Sequence, residues 1–136
     1  MLFLDTNVVV DLLRKRSPRL RDSFAAACAS GSPLAISSIV LFELRFGAHH
    51  SQRPEANMRA LEAFLDDTGI TVVTFNAADA AQAADIRAGL SRAGALIGPY
   101  DILIAAQARA RGAILVTAKR REFERVPGLM VTDWTA

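Results

Sequence analysis

The chain alternates short apolar runs with polar breaks from its first residue to its last. Leu2-Phe3-Leu4 is stopped by Asp5-Thr6-Asn7, after which Val8-Val9-Val10 resumes the apolar pattern. A short apolar segment ending in a polar turn predicts a buried strand that feeds a helix, here Val8 to Arg14. Pro18 opens a second helix over Arg19 to Ala29, which Gly31 and Pro33 stop. Leu34-Ala35-Ile36 reads as a strand, and Ser37 or Ser38 as the N-cap of a helix from Ile39 to Ala48. That helix is apolar nearly all round, so it is expected to be buried, with Glu43 near the interior.

The same grammar continues. Pro54 begins a helix running to Asp67 and closed by Gly69, and Ile70 to Val73 follows as a strand. Asn76 caps the longest helix, which reaches Ala93 before Gly94, with Asp79 in its first turn. Pro99 opens a helix to Arg111 that Gly112 ends. Ile114 to Val116 is a strand, Arg121 to Glu124 a single turn, and Leu129 to Val131 a last strand. Strands alternating with helices imply parallel pairing through βαβ crossovers, hence one α/β domain spanning residues 1–136.

Composition narrows the class. A chain of 136 residues, 51% of them hydrophobic, suits one globular domain burying roughly two-thirds of its unfolded surface. A single cysteine, Cys28, excludes an internal disulfide and a Cys-rich zinc site; in its alanine-rich helix it reads as a small buried hydrophobe. Asp5 and Asp11 interrupt the N-terminal apolar run, and no basic stretch precedes it, so neither a membrane span nor a secretory signal is expected and the protein reads as cytoplasmic. Net charge is only +2, but arginine and lysine are grouped in Arg14-Lys15-Arg16 with Arg19 and Arg21, and in Lys119-Arg120-Arg121. Such clusters serve as solvated faces or as phosphate contacts, and charge alone does not choose.

Three acids carry the candidate chemistry. Asp101 shares a helix face with Ile104, Ala105 and Ala108, which turns it toward the sheet. Asp5 follows the first strand and Glu43 lies on the helix after the second. Each has a plain reading: Asp5 as a helix cap, Asp101 as a first-turn dipole partner, Glu43 as the partner of an arginine such as Arg87. Together they are expected at one rim of a parallel sheet, where ligands of open α/β folds bind. Carboxylates gathered there repel one another unless a cation neutralises them, and an oxygen-only donor set suits Mg²⁺ or Mn²⁺ over zinc. Such an ion would polarise a phosphodiester and activate water. His49 and His50, adjacent on a helix, point apart and read as surface residues, and Trp134 reads as a packing anchor.

At these residues the chain resembles PIN-domain ribonucleases, in particular the VapC-type toxins of bacterial type II toxin–antitoxin pairs. The resemblance rests on Leu4-Asp5-Thr6-Asn7, on Ile36-Ser37-Ser38 leading to Glu43-Leu44-Arg45-Phe46-Gly47-Ala48, and on Ile86-Arg87-Ala88. It continues through Ile97-Gly98-Pro99-Tyr100-Asp101, Ile104-Ala105-Ala106, Leu115-Val116-Thr117, Glu122-Phe123, Val126-Pro127-Gly128-Leu129 and Asp133-Trp134. It implies a three-layer α/β/α sandwich with a central parallel sheet, and a Mg²⁺- or Mn²⁺-dependent endoribonuclease that cuts structured RNA, often tRNA or rRNA loops. Asp5 and Asp101 then resemble the principal metal ligands and Glu43 the third acid. Thr6 and Thr117 resemble the hydroxyls that orient the acids or the scissile phosphate. The implied partners are a VapB-type antitoxin, whose C-terminal segment lies across the active site, and a second copy of the toxin, in a homodimer or a larger assembly.

One position departs from the family. Two residues after Thr117, where relatives carry Asp or Asn, stands Lys119. A cation there opposes a metal by Coulomb repulsion, or swings out to hold an RNA phosphate. The rival readings are a catalytically weakened RNA- or antitoxin-binding module, and a phosphatase with Asp5 as nucleophile. The phosphatase wants a second acid where Asn7 stands.

Overall fold

The computed structural model describes residues 1–136. Five short strands form one sheet: β1 (Leu2–Leu4), β2 (Leu34–Ser37), β3 (Thr71–Val73), β4 (Ile114–Val116) and β5 (Met130–Thr132). Their spatial order is β3-β2-β1-β4-β5, and every adjacent pair is parallel. The connections are helical: α1 (Thr6–Leu13) and α2 (Pro18–Ala29), then α3 (Ser38–His49) and α4 (Pro54–Thr68). After β3 come α5 (Ala77–Arg92) and α6 (Pro99–Ala110), and the short α7 (Arg120–Phe123) joins β4 to β5.

Both faces of the sheet are covered. All of β2 is buried, as are the neighbours Phe3 and Leu4 of β1 and Leu115 and Val116 of β4. Side chains alternate between faces along a strand, so consecutive buried residues require helices on both sides. The result is the expected α/β/α sandwich. The core joins these strands to Val9, Leu20, Val40, Leu61, Ile86, Ile104 and Phe123. No helix is long and apolar enough to cross a membrane.

Chain punctuation behaves as the sequence indicates, with boundaries moved by a residue or two. Asp5, Ser17, Ser37 and Asn76 are N-caps, and Asn76 closes a full capping box with Asp79. Gly69 ends α4 in the left-handed region at φ 67°, where a side chain would be strained.

Two expectations about burial fail. Cys28 is exposed. The hydrophobic residues of α2 that pack on the core are Leu20, Phe24 and Ala27, and Cys28, in the last turn, is not among them. Helix α3 is not wrapped in protein either: Val40, Leu44 and Ala48 face inward, while Phe42 and Phe46 remain 51% and 58% exposed. His49 and His50 are exposed as expected, with Phe46 stacked on His50. Trp134 packs against Phe24 at the edge of the core, in the anchoring role expected of it.

The position of β1 matters most for function. From β1 the chain moves outward to β2 and β3, then returns to place β4 on the other side of β1. The carboxyl ends of β1 and β4 therefore flank the point where strand order reverses, the usual crevice for a ligand in an open parallel sheet.

Candidate active site

Asp5 occupies that crevice. Its backbone N–H donates to the Val116 carbonyl at 3.0 Å, extending the β1–β4 ladder by one residue before α1 begins. Its carboxylate is held at both oxygens: Oδ1 accepts from the Thr6 backbone N–H and Oδ2 from the Thr117 hydroxyl, each at 2.8 Å. Asp5 thus caps α1, as the plain reading expects, while one carboxylate edge is tied to the end of β4. It is 2% exposed, and burial raises its pKa above the usual carboxylate value. The hydrogen bonds from Thr117 and Thr6 and the charge of Lys119 pull the other way without cancelling that effect.

Thr6 links this acid to the next. Its backbone serves Asp5, and its hydroxyl donates to Glu43 Oε1 at 2.7 Å. Glu43 is half-buried at the surface of α3, not in the interior, and it forms no ion pair; Arg87 is exposed on α5. The arginine pairing is therefore absent, and the Thr6 hydroxyl is the partner Glu43 has.

Asp101 stands in the first turn of α6, its side chain 14% exposed, on the face whose later members Ile104, Ala105 and Ala108 are wholly buried. Gly98, the N-cap of α6, has no side chain to cap with, and a Cβ there would lie 3.4 Å from Asp101 Oδ2. The glycine leaves that oxygen open. Lys119 approaches it instead, Nζ to Oδ2 at 3.4 Å. The Lys119 backbone N–H donates to the Thr117 hydroxyl at 3.0 Å, so one hydroxyl ties down both Asp5 and the base of this lysine. Burial alone would lower the Lys119 pKa, but Asp101, Asp5 and Glu43 together raise it, in that order of strength for Asp101 and Asp5.

The five predicted residues Asp5, Thr6, Glu43, Asp101 and Thr117 thus come from four elements to one rim. As they lie, no three acids converge into a ready ligand cluster. The donor chemistry fits a hard divalent ion nonetheless: all three are carboxylates, and one of them, Asp101, already pairs with a cationic nitrogen.

Sequence reasoning missed the aromatic edge beside the acids. Phe42 precedes Glu43, Tyr100 precedes Asp101, and their rings meet edge-to-face at 5.6 Å while both remain about half exposed. The available signal was an aromatic residue immediately before two of the three acids.

A PIN-domain family model matches residues 2–129. The chain belongs to the PIN-domain family. Within it the relatives are VapC proteins. The tRNA(fMet)-specific endonuclease VapC of Shigella flexneri is 41% identical over 132 residues, covering 97% of this chain and 96% of the relative. Ribonuclease VapC2 of Haemophilus influenzae is 39% identical over 131 residues, covering 96% of each. Among solved structures, VapBC2 from Rickettsia felis bound to a DNA fragment from its promoter superposes with a TM-score of 0.90 at 33% identity, covering 98% of this chain and 99% of the other. DNA-bound VapBC from Salmonella typhimurium gives 0.89 at 38% identity, covering 98% and 97%. The chain is therefore a VapC-type PIN protein, and the VapC ribonucleases share nearly its whole length.

Proposed function

We propose that this chain is the ribonuclease toxin of a type II toxin–antitoxin pair, hydrolysing structured RNA such as tRNA or rRNA loops with Mg²⁺ or Mn²⁺. The observation that carries this reading is the Thr117–Asp5–Thr6–Glu43 chain of hydrogen bonds at the β1/β4 crevice, with Asp101 on the facing helix. Asp5, Glu43 and Asp101 would hold the ion, directly or through water. Such an ion supplies a Lewis acid for the phosphodiester and a lowered pKa for attacking water. Thr117 and Thr6 orient the Asp5 and Glu43 carboxylates, and burial of Asp5 keeps its oxygens out of competition with bulk water. Arginines at the rim would hold flanking phosphates.

The partners follow the same reading. A groove between α1, α3 and α4 runs from Glu43 to Arg14 over Val10, Leu13, Leu44 and Leu61. It suits a segment of a VapB-type antitoxin with an apolar face, ending at the acids. The exposed Phe42, Phe46 and Tyr100 suit a homodimer contact. One observation favours a second reading, a catalytically weakened RNA- or antitoxin-binding module: the ammonium of Lys119 already sits against Asp101.

Incubating purified protein with total cellular RNA in Mg²⁺ or Mn²⁺, against EDTA, tests the proposal. Discrete metal-dependent cuts that Asp5→Ala abolishes support it. Silence from wild type with cleavage by Lys119→Asn supports the weakened module. Silence from both on every RNA overturns the nuclease reading.

A further inference from the structure

We infer that Lys119 is the resident cation of this site: without a divalent ion its ammonium pairs with Asp101, and an ion taken up by these acids displaces it. The inference rests on reading these acids as metal ligands, and concerns what governs their occupancy.

Three carboxylates stand along this rim without converging into a ligand cluster, and the only ion pair any of them makes is Asp101 with Lys119. The lysine's base is fixed: its N–H is bound to the same Thr117 hydroxyl that holds Asp5. Only the four-carbon stem is free to move. Its side chain is 39% exposed, so an open route to solvent lies beside the paired position. An ammonium and a divalent cation a few ångströms apart repel strongly where water is scarce, so they exclude each other from one carboxylate cluster. Any gain on metal binding is therefore reduced by the lost Lys119 contacts, and the released ammonium points outward at the face an RNA backbone would approach.

This makes the metal-free protein self-neutralised. A neutral residue at position 119 would leave Asp101 unpaired beside the other acids, giving a less stable metal-free protein that binds the ion more tightly.

Calorimetric titration with MnCl₂, paired with thermal unfolding in EDTA, tests this on wild type, Lys119→Asn, Lys119→Gln and Lys119→Arg. The neutral variants should bind Mn²⁺ at least tenfold more tightly, unfold at lower temperature in EDTA, and gain more thermal stability from Mn²⁺. Lys119→Arg should stay near wild type in binding. If one neutral variant fails to fold, the other decides. Equal Mn²⁺ affinity across wild type and the neutral variants overturns the inference while leaving the nuclease reading intact. Absence of Mn²⁺ binding in every protein overturns both, because the acids then are not a metal site.

Discussion

The hydroxyl of Thr117 donates to Asp5 Oδ2 at 2.8 Å, although 112 positions separate the two in sequence. Both side chains are essentially buried, and the bond spans the two strands that flank the reversal of the sheet. Thr117→Val keeps the shape and removes the donor, so Asp5 keeps its place but loses its orientation. Thr6→Val does the same for Glu43. Each should lower RNA cleavage about 10–100-fold, as loss of groups that orient ligands does, with little change in far-UV circular dichroism. Activity within twofold of wild type in both would remove the hydroxyls from the site.

Asp5 should trade stability for function. Its pKa is raised in the fold by burial, so between the ordinary value of 3.8 and the folded value the native state binds more protons than the unfolded chain. Stability then falls as pH rises through that window, and the ionised Asp5 is a net burden at neutral pH. Asp5→Asn, which is uncharged and still offers one acceptor, should abolish cleavage yet unfold at pH 7 no earlier than wild type. The comparison should shift in favour of wild type as pH is lowered toward 4. A clear loss of stability at pH 7 would mean the charge is needed for folding.

Asp79 behaves oppositely. Burial would raise its pKa, but hydrogen bonds from Arg111 and from the Asn76 backbone, with the guanidinium charge, leave it lowered. Arg111 contacts both its oxygens, at 2.7 and 3.2 Å, joining the end of α6 to the start of α5. A lowered carboxylate stabilises the fold above its unfolded value of 3.8, and that contribution is lost as pH falls through the folded value. Asp79→Ala should cost about 2–3 kcal/mol at pH 7, combining a broken pair and a lost cap, with Arg111 partly solvated. Urea titrations at pH 7 and pH 3 check this, the difference shrinking at the lower pH.

The groove and the acids should be separable. Gly47 lines the groove, and a Cβ added there meets nothing within 4 Å, so the backbone of α3 tolerates Gly47→Gln, which adds no charge one turn from Glu43. It should leave RNA cleavage intact while weakening the antitoxin segment at least tenfold in a fluorescence-anisotropy titration. Unchanged binding would move the antitoxin's seat elsewhere.

Phe46→Glu should yield a monomer in light scattering if the aromatic face of α3 is a contact between copies. Persistence of a dimer would assign that contact to another surface.

The positions that sequence read well are those where one residue carries its own structural reason. Pro18, Pro54 and Pro99 start helices, Gly69 ends one, and Asp5 interrupts an apolar run where a strand must stop. Asp101 was placed correctly because Ile104, Ala105 and Ala108 define its face. The failures concern which neighbour lies opposite. Phe42 and Phe46 are as apolar as a core residue, and the pattern along α3 does not distinguish burial in the fold from exposure at a contact surface. The plain reading of Glu43 as the partner of an arginine such as Arg87 follows charge alone, whereas the fold gives it the Thr6 hydroxyl. The alanine-rich surroundings of Cys28 suggest burial, but those alanines are themselves mostly exposed, and Cys28 is exposed with them.

The strand order has a consequence during synthesis. The first strand is also the middle one, and its neighbour on the catalytic side is β4, more than a hundred residues later. A nascent chain that has exposed Asp5, Thr6 and Glu43 still lacks the hydroxyl that orients Asp5 and the helix that presents Asp101. The proposed centre is complete only when the last quarter of the polypeptide leaves the ribosome. On that reading, a fragment that ends before β4 carries Asp5, Thr6 and Glu43 without the Thr117 hydroxyl that completes their arrangement.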